Sequence, residues 1–154
     1  MDSVFQRIKA LLDAGGIVYQ VMDHEPVYTS QQAADVRGTT IEQGAKAMVM
    51  KADRRPVLVV LASHLRVDTR RFKHLYGVHD LRLAGPDEVE ELTGLKPGSI
   101  PPFGNAMELP TYVDRSLLNN DRIAFNAGLH TRSIVMACRD YITVVGPEIG
   151  EFAS

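Results

Sequence analysis

The stretch Ala45-Lys-Ala-Met-Val-Met-Lys-Ala52 is followed, after Asp53-Arg-Arg55, by Pro56-Val-Leu-Val-Val-Leu-Ala62. Both segments are rich in apolar residues, and a short polar turn separates them, which is the pattern of a β-hairpin. The second segment is apolar almost throughout, which is typical of a central strand that is buried on both faces. The sequence therefore predicts a hairpin at the centre of a sheet.

Helical patterns lie on both sides of this hairpin. Apolar residues at three- and four-residue spacing predict a helix that Asp2 or Ser3 caps and that Gly15-Gly16 ends. Three further helices are predicted, at Ser30 to Gly38, Thr69 to Tyr76 and Pro86 to Thr93. The helix at Thr69 follows Asp68 as its cap, and we expect it to bury Phe72, Leu75 and Tyr76.

Short strand patterns fill much of the remaining chain. They are predicted around Ile17 to Val21 and at Leu81 to Ala84, Leu109 to Asp114, Arg122 to Asn126, Ser133 to Arg139 and Tyr141 to Val145. Strands in runs, with helices early and between hairpins, are typical of the α+β class. We expect one domain over residues 1–154, built on a curved, mostly antiparallel, barrel-like mixed sheet with surrounding helices.

The composition excludes several classes of protein. With 154 residues, 45% hydrophobic and 23% charged, the chain falls in the range of ordinary globular domains. No apolar run approaches the roughly 18–20 residues of a membrane helix, and the first residues lack a signal-peptide pattern. Cys138 is the single cysteine, which excludes an internal disulfide. We expect a cytoplasmic protein without a membrane or DNA partner.

The charge is unevenly distributed along the chain. The net charge is −2, but the segment from Lys46 to Arg82 carries nine basic and three acidic residues. The predicted helix at Thr69 turns Arg70, Arg71 and Lys73 to solvent, close in sequence to Arg66. Such a positive surface attracts a polyanion such as RNA, although a merely solvated face fits the charges equally well.

The familiar catalytic and metal-binding motifs are absent. The five histidines lie in five separate contexts, so we expect neither a metal nor another cofactor. Cys138 falls on an apolar strand face and is expected to be a buried structural thiol. What remains is Lys46 at the start of a strand, the loop Gly98-Ser-Ile-Pro-Pro102, and His130 after a glycine turn. Each alone fits an ordinary surface lysine, loop or histidine, whereas the combination favours a site.

Several motifs occur in an order that resembles a known family. They are His24-x-Pro26 with Ser30 and Ala33-Ala34, Lys46 opening a strand, Gly98-x-x-x-Pro102-Phe-Gly104, Leu109-Pro-x-Tyr-Val-Asp114 and Phe125-Asn-Ala-Gly-x-His130. From about Val18 to Val145, the chain resembles the YbaK and prolyl-tRNA synthetase-associated editing domain family. That resemblance implies an enzyme that hydrolyses the ester of a wrongly charged tRNA.

The resemblance also implies roles for particular residues. Lys46 would hold the tRNA 3′ end, the loop from Gly98 would position the aminoacyl carbonyl through its backbone, and His130 would lie beside the aminoacyl group. The candidate substrate-binding residues are Ser99, Ile100, Pro101, Pro102, Phe103, Gly104, Asn126 and Gly128, and the candidate tRNA-binding residues are Arg66, Arg70, Arg71 and Lys73. Asp114 is expected to brace the architecture. Hydrolysis of an activated ester needs no protein nucleophile when water and the terminal ribose hydroxyl are positioned together.

The substrate and the partners follow from the same resemblance. We expect a small non-cognate amino acid on tRNA-Pro, with the acceptor end of aminoacyl-tRNA and prolyl-tRNA synthetase as partners. Asn126-Ala127-Gly128 and Ser133 depart from the Ser-Gly-Gly turn and Asp of the YbaK branch, which makes cysteine a less expected substrate. Two rivals stay open: a non-catalytic module that binds tRNA ends or amino acids, and a hydrolase of another small acyl ester.

Overall fold

The computed structural model describes residues 3–154, and within them five α-helices and eight β-strands. The helices are α1 (Val4–Ala14), α2 (Ser30–Arg37), α3 (Thr69–Tyr76), α4 (Pro86–Thr93) and α5 (Cys138–Val145). The strands are β1 (Tyr19–Asp23), β2 (Ala45–Ala52), β3 (Arg55–Ala62), β4 (Leu81–Leu83), β5 (Thr111–Asp114), β6 (Arg122–Leu129), β7 (Arg132–Ala137) and β8 (Glu148–Gly150). None of these helices is long and apolar enough to cross a membrane.

Two sheets form the frame. One has the strand order β1-β7-β6 and is antiparallel throughout, and the other has the order β4-β2-β3-β5-β8. In the second sheet, β3 pairs in parallel with β5, and β5 with β8, while the other pairs are antiparallel. This confirms the α+β class with a mostly antiparallel mixed arrangement. The strands form two sheets, linked by a bridge between Gly44 and Ala124, rather than one closed barrel.

The predicted central hairpin is confirmed. β2 and β3 pair over their full length, from Ala45 opposite Ala62 to Ala52 opposite Arg55. Asp53 and Arg54 form the turn with φ of 48° and 72°, the left-handed geometry that a tight two-residue hairpin needs. The residues from Val57 to Ala62 are all buried, as expected of a central strand.

The predicted helices α1 to α4 are also confirmed. Ser3 caps α1 through a hydrogen bond from the N–H of Gln6, while Asp2, the alternative cap, lies outside the described residues. Helix α1 buries Ile8 and Leu12 completely against the core between the sheets. Leu75 of α3 is the exception: it is 47% exposed, so the prediction that it is buried was wrong. Phe72 fills the space under that helix instead, against the rings of Tyr112 and Phe152.

The chain after β7 differs from the prediction. Residues 141–145 were predicted as a strand because they are rich in β-branched residues, but they belong to helix α5. Tertiary packing outweighs the local propensity here: Tyr141 is fully buried against Phe103, and Gly146 ends the helix with a left-handed φ of 60°. Cys138 is the first residue of α5 rather than a strand residue, and it is buried as predicted. Strand β8 was not predicted.

Candidate active site

A cleft of about 160 Å³ opens where the two sheets and α2 meet. It brings together three groups that are far apart in sequence: Lys46 from β2, Gly98 and Ile100 from the loop after α4, and Asn126 from β6. The remaining lining residues come mainly from the segment before α2 and from α2 itself: Val27, Tyr28, Thr29, Ser30, Ala33 and Arg37. The combination of a strand lysine and a Gly/Pro loop, suggested by the sequence, is therefore one spatial site.

Lys46 is half-buried at the wall of this cleft. Its ammonium nitrogen donates to the carbonyl oxygens of Leu65 at 2.5 Å and Ser63 at 3.4 Å. Burial and, to a smaller extent, the nearby charge of Arg66 lower the pKa of Lys46 from its ordinary value. The side chain is thus a fixed cation, held by backbone acceptors, with no carboxylate neutralising it among the described ion pairs.

The loop beside Lys46 is held by its own backbone. The N–H and hydroxyl of Ser99 both donate to the carbonyl of Lys96, at 3.1 and 2.7 Å, and its carbonyl accepts from the N–H of Gly128 at 3.0 Å. Gly98 has a φ of +86°, which favours glycine at this position. Within residues 3–154, the N–H groups of Gly98 and Ile100 donate to no protein acceptor, and both residues line the cleft.

The second half of this loop, residues 101–104, does not line the cleft. Pro101, Pro102, Phe103 and Gly104 are all buried. The carbonyl of Pro102 accepts from the Tyr141 hydroxyl at 2.6 Å, and the ring of Phe103 packs in the core. These contacts anchor the loop in the core, and direct contact of the four residues with substrate stays a prediction.

His130 lies on the other side of Gly98. A Cβ atom added to Gly98 would lie 3.1 Å from His130 Nε2, so the two residues are in close contact. His130 lines a neighbouring cleft with Ser99 and Gly128 rather than the Lys46 cleft. Tyr28 lines both clefts, and its ring lies 5.1 Å from the His130 ring between centroids. The loop from Gly98 to Ile100 thus separates two adjoining clefts that share Tyr28.

A network of polar side chains, which no sequence pattern predicted, supports the wall of the cleft. Arg37, at the end of α2, donates to Asn126 Oδ1 at 2.9 Å and to Ser133 Oγ at 2.8 Å. Asn126 Nδ2 in turn donates to the carbonyl of Gly98 at 2.6 Å. Burial lowers the pKa of the Arg37 guanidinium to about 10, which leaves it charged at neutral pH. A single arginine in the last turn of a helix is common, so no sequence pattern points to this role.

His24 extends the network at its far end. Its Nδ1 lies 2.7 Å from the carbonyl of Glu25, and its Nε2 lies 2.7 Å from Ser133 Oγ. A carbonyl only accepts, so in the neutral ring Nδ1 carries the proton and Nε2 accepts from the Ser133 hydroxyl. Ser133 is fully buried and is satisfied on both sides, by Arg37 and His24. His24 therefore belongs to the support of the cleft.

The candidate tRNA-binding residues are Arg66 and three residues of α3. Arg66 is close enough to Lys46 for its charge to lower the pKa of that lysine, and it is exposed. Arg70 and Arg71 are exposed on α3, and Lys73 is partly exposed on the same helix. Arg71 also donates to the carbonyl of Ala153 at 3.2 Å. Arg66 is therefore the candidate whose charge reaches Lys46, and contact of these four residues with tRNA stays a prediction.

Asp114 is buried at the end of β5, away from the cleft lining. One carboxylate oxygen accepts from the N–H groups of Phe152 and Ala153, and the other from that of Ser116. Burial acts to raise the pKa of this carboxyl, but the hydrogen bonds from Ser116, Phe152 and Ala153 outweigh it and hold the pKa below its ordinary value. The geometry agrees with a bracing role. No cluster of three or more metal-ligating side chains occurs within residues 3–154.

Comparisons of sequence identify relatives over almost the whole chain. The family described as "Aminoacyl-tRNA editing domain" matches residues 24–144. The multifunctional Ser/Thr-tRNA deacylase ProXp-y of Escherichia coli K12 is 37% identical over 152 residues, covering 96% of this chain and 91% of the relative. A proline–tRNA ligase of Staphylococcus aureus is 31% identical over 96 residues, covering 61% of this chain and 17% of the ligase.

Solved structures match the fold. The hypothetical protein APE2540 superposes with a TM-score of 0.86 at 23% identity, over 96% of this chain and 99% of its own. A structure assigned provisionally as a trans-editing enzyme for prolyl tRNA synthetase has a TM-score of 0.84 at 24% identity, over 100% of this chain and 99% of its own. At these identities the likeness establishes the fold, which includes the two-sheet frame around the cleft.

Proposed function

This chain belongs to the aminoacyl-tRNA editing domain family, and we propose that it is a trans-acting deacylase that hydrolyses the ester of mischarged tRNA. The observation that carries the proposal is the juxtaposition of the Lys46 ammonium with Gly98 and Ile100 in one small cleft. A cation suits the phosphate or ribose of a tRNA end, and free backbone N–H groups suit an ester carbonyl. The likeness to a curated deacylase favours an enzyme over a non-catalytic binding module.

The proposed reaction is the attack of water on the aminoacyl carbonyl, with the terminal ribose hydroxyl helping to position that water. The N–H groups of Gly98 and Ile100 stabilise the negative charge that develops on the carbonyl oxygen. The bond between the carbonyl carbon and the ribose oxygen then breaks, which releases the free amino acid and the tRNA hydroxyl. Lys46 fixes the terminal nucleoside. The protein supplies position and charge and forms no covalent intermediate.

We propose serine and threonine esters as the preferred substrates. The E. coli relative at 37% identity is a Ser/Thr-tRNA deacylase. The cleft is small, at about 160 Å³, and offers polar partners for a side-chain hydroxyl in Ser30 and Ser63 as well as Asn126. A site that hydrogen-bonds a hydroxyl discriminates strongly against substrates without one. Alanine on tRNA-Pro, the other small non-cognate residue, is the comparison substrate.

We also propose that the acceptor stem lies along Arg66, Arg70, Arg71 and Lys73, that prolyl-tRNA synthetase is a partner, and that the protein acts in the cytoplasm. Phosphate contacts release counterions, so KM should rise steeply with salt. Replacing Arg70 and Arg71 with glutamine should raise KM and flatten that salt dependence. Replacing the exposed Arg139 of α5 is the matched control and should change neither.

The test of the proposed function is the release of amino acid from a panel of tRNAs charged with Ser, Thr, Ala, Cys or Pro. We expect rapid release from seryl- and threonyl-tRNA and a loss of most of this activity in Lys46→Ala. Lys51→Ala is the control, since Lys51 lies on the same strand and its contacts are long, a 3.9 Å pair with Glu88 and a 3.5 Å hydrogen bond to the Arg54 carbonyl. Turnover of free amino acid esters at an equal rate would instead support the small-ester hydrolase.

A further inference from the structure

We propose that Tyr28 forms a stacking subsite for the unpaired base of the nucleoside that carries the ester. This inference rests on the proposed function and adds a residue to its site. Tyr28 is 74% exposed, and it is the single aromatic side chain among the exposed large hydrophobic residues of the described chain. The exposed residues of that group other than Tyr28 are aliphatic: Val18, Val21, Val36, Leu75, Leu83, Leu118 and Leu129.

The position of Tyr28 is what distinguishes it. It lines the Lys46 cleft and also the neighbouring cleft that His130 lines, so it stands at the junction of the two. A nucleoside whose ribose is held at Lys46, with its ester carbonyl at Gly98, must direct its base out of the small cleft. Tyr28 is the aromatic surface available along that lining, since Val27, Ala33 and Ala45 are small or buried.

The ring is held in place rather than free on a loop. The N–H groups of Tyr28 and Thr29 both donate to Gln32 Oε1, at 3.0 and 3.2 Å, and the N–H of Val27 donates to the His130 carbonyl at 3.1 Å. The His130 ring lies 5.1 Å away at an interplanar angle of 36°, a tilted aromatic contact that supports one side of the tyrosine. Its large exposed fraction leaves the other side open to a ligand.

The exposed aromatic ring of Tyr28 suits a nucleobase as its ligand. Single-stranded nucleotides are recognised by stacking of their bases on tyrosine, phenylalanine or tryptophan, together with charge contacts to the backbone. The tRNA 3′ end is single-stranded, and Lys46, which lines the same cleft as Tyr28, supplies the charge. In this arrangement Tyr28 binds the base, the loop from Gly98 binds the ester carbonyl, and the ribose at Lys46 lies between them.

The expected effect of removing the ring is on binding. Tyr28→Ala should raise KM for seryl-tRNA by about 10- to 100-fold, the usual range for loss of a base stack, with a smaller change in kcat. Tyr28→Phe keeps the ring and should remain within about two-fold of the wild type, since stacking does not need the hydroxyl. Leu83→Ala removes an exposed apolar side chain from β4, away from the clefts, and is the matched control.

The decisive experiment pairs these variants with an altered RNA. An uncharged acceptor-stem RNA carries 2-aminopurine in place of its terminal adenine, and its fluorescence is titrated with each protein. We expect the wild type, Tyr28→Phe and Leu83→Ala to quench it by stacking, and Tyr28→Ala to lose the quenching. Equal quenching by Tyr28→Ala, or none by the wild type at concentrations that support turnover, overturns the inference.

A second measurement separates this inference from the proposed function. Seryl-tRNA lacking its terminal base is compared with the intact substrate for the wild type and Tyr28→Ala. Stacking predicts that base removal raises KM in the wild type and changes little further in Tyr28→Ala, whereas additive effects contradict it. Quenching without any turnover would instead retain the base subsite and reject the deacylase function.

Discussion

The side chains of Arg37 and Asn126 are joined by a hydrogen bond of 2.9 Å, and this bond determines which way the Asn126 amide points. A guanidinium only donates, so it must face the amide oxygen and leave the NH₂ group to bind the Gly98 carbonyl at 2.6 Å. The loop that contacts the proposed ester is therefore oriented by a helix residue that does not touch it.

Two substitutions test whether Arg37 orients the loop at Gly98 through Asn126. Arg37→Lys keeps the charge but loses the planar pair of donors, and Asn126→Asp keeps the acceptor for Arg37 but sets an oxygen against the Gly98 carbonyl. Both should lower kcat, by about ten-fold or more, because small displacements of a positioned group cost rate. KM should change less. The measurement is steady-state deacylation, with melting temperatures as a check on folding. A rise in KM with an unchanged kcat would contradict this role of Arg37 and Asn126.

The pH dependence of substrate binding tests the charge of Lys46. Burial and Arg66 lower the pKa of this ammonium, so it loses its proton at a lower pH than an ordinary lysine. KM should therefore rise on the alkaline side as pH passes through the lowered pKa, since the neutral amine no longer attracts phosphate. The profile is measured after subtracting spontaneous ester hydrolysis. Lys46→Arg stays charged and should hold KM flat over the same range.

A matched pair of glycine variants separates crowding in the site from backbone strain. Gly98→Ala and Gly146→Ala both place a side chain at positive φ, +86° and +60°, and each should destabilise the fold by about 1–2 kcal/mol. Only at Gly98 does the new Cβ meet a functional side chain, at 3.1 Å from His130 Nε2. Turnover should fall in Gly98→Ala and remain in Gly146→Ala. Equal turnover in the two variants would remove the loop from the site.

Acid unfolding tests the brace at Asp114. Its pKa is lowered in the folded state, so between the folded and unfolded pKa values the unfolded chain binds more protons. The stabilisation is thus complete above the unfolded pKa of about 3.9 and is lost as pH falls through the folded pKa. Asp114→Asn should cost about 1–3 kcal/mol at neutral pH and flatten this part of the acid profile. Urea titrations from neutral pH downward supply the measurement.

The elements with local signals were predicted well. The β2–β3 hairpin, the caps Ser3 and Asp68 and the glycines that end the helices have causes within a few residues of sequence, and all are present. Helix α5 was missed because its β-branched residues favour a strand, and only the distant packing of Tyr141 decides otherwise.

In the candidate site too, the residues with a local sequence signal were predicted, and a residue defined by distant contacts was not. Lys46 and the loop from Gly98 carry recognisable residue types and meet in one cleft. Arg37 was missed because its partners, Asn126 and Ser133, are 89 and 96 residues away in sequence. A contact at that distance in sequence has no period or spacing, so no local pattern predicts it.

The bridge between Gly44 and Ala124 has a consequence for the order in which activity and structure are lost. Lys46 belongs to one sheet and Asn126 to the other, so the cleft is intact only while the two sheets stay joined near this bridge. Local separation of the sheets at this bridge costs less than global unfolding, because the ladders within each sheet and the core that both sheets share remain in place. On heating, deacylation should vanish while most slowly exchanging amide protons are still protected. Loss of activity then reports separation of the two sheets at this bridge rather than unfolding of the whole domain.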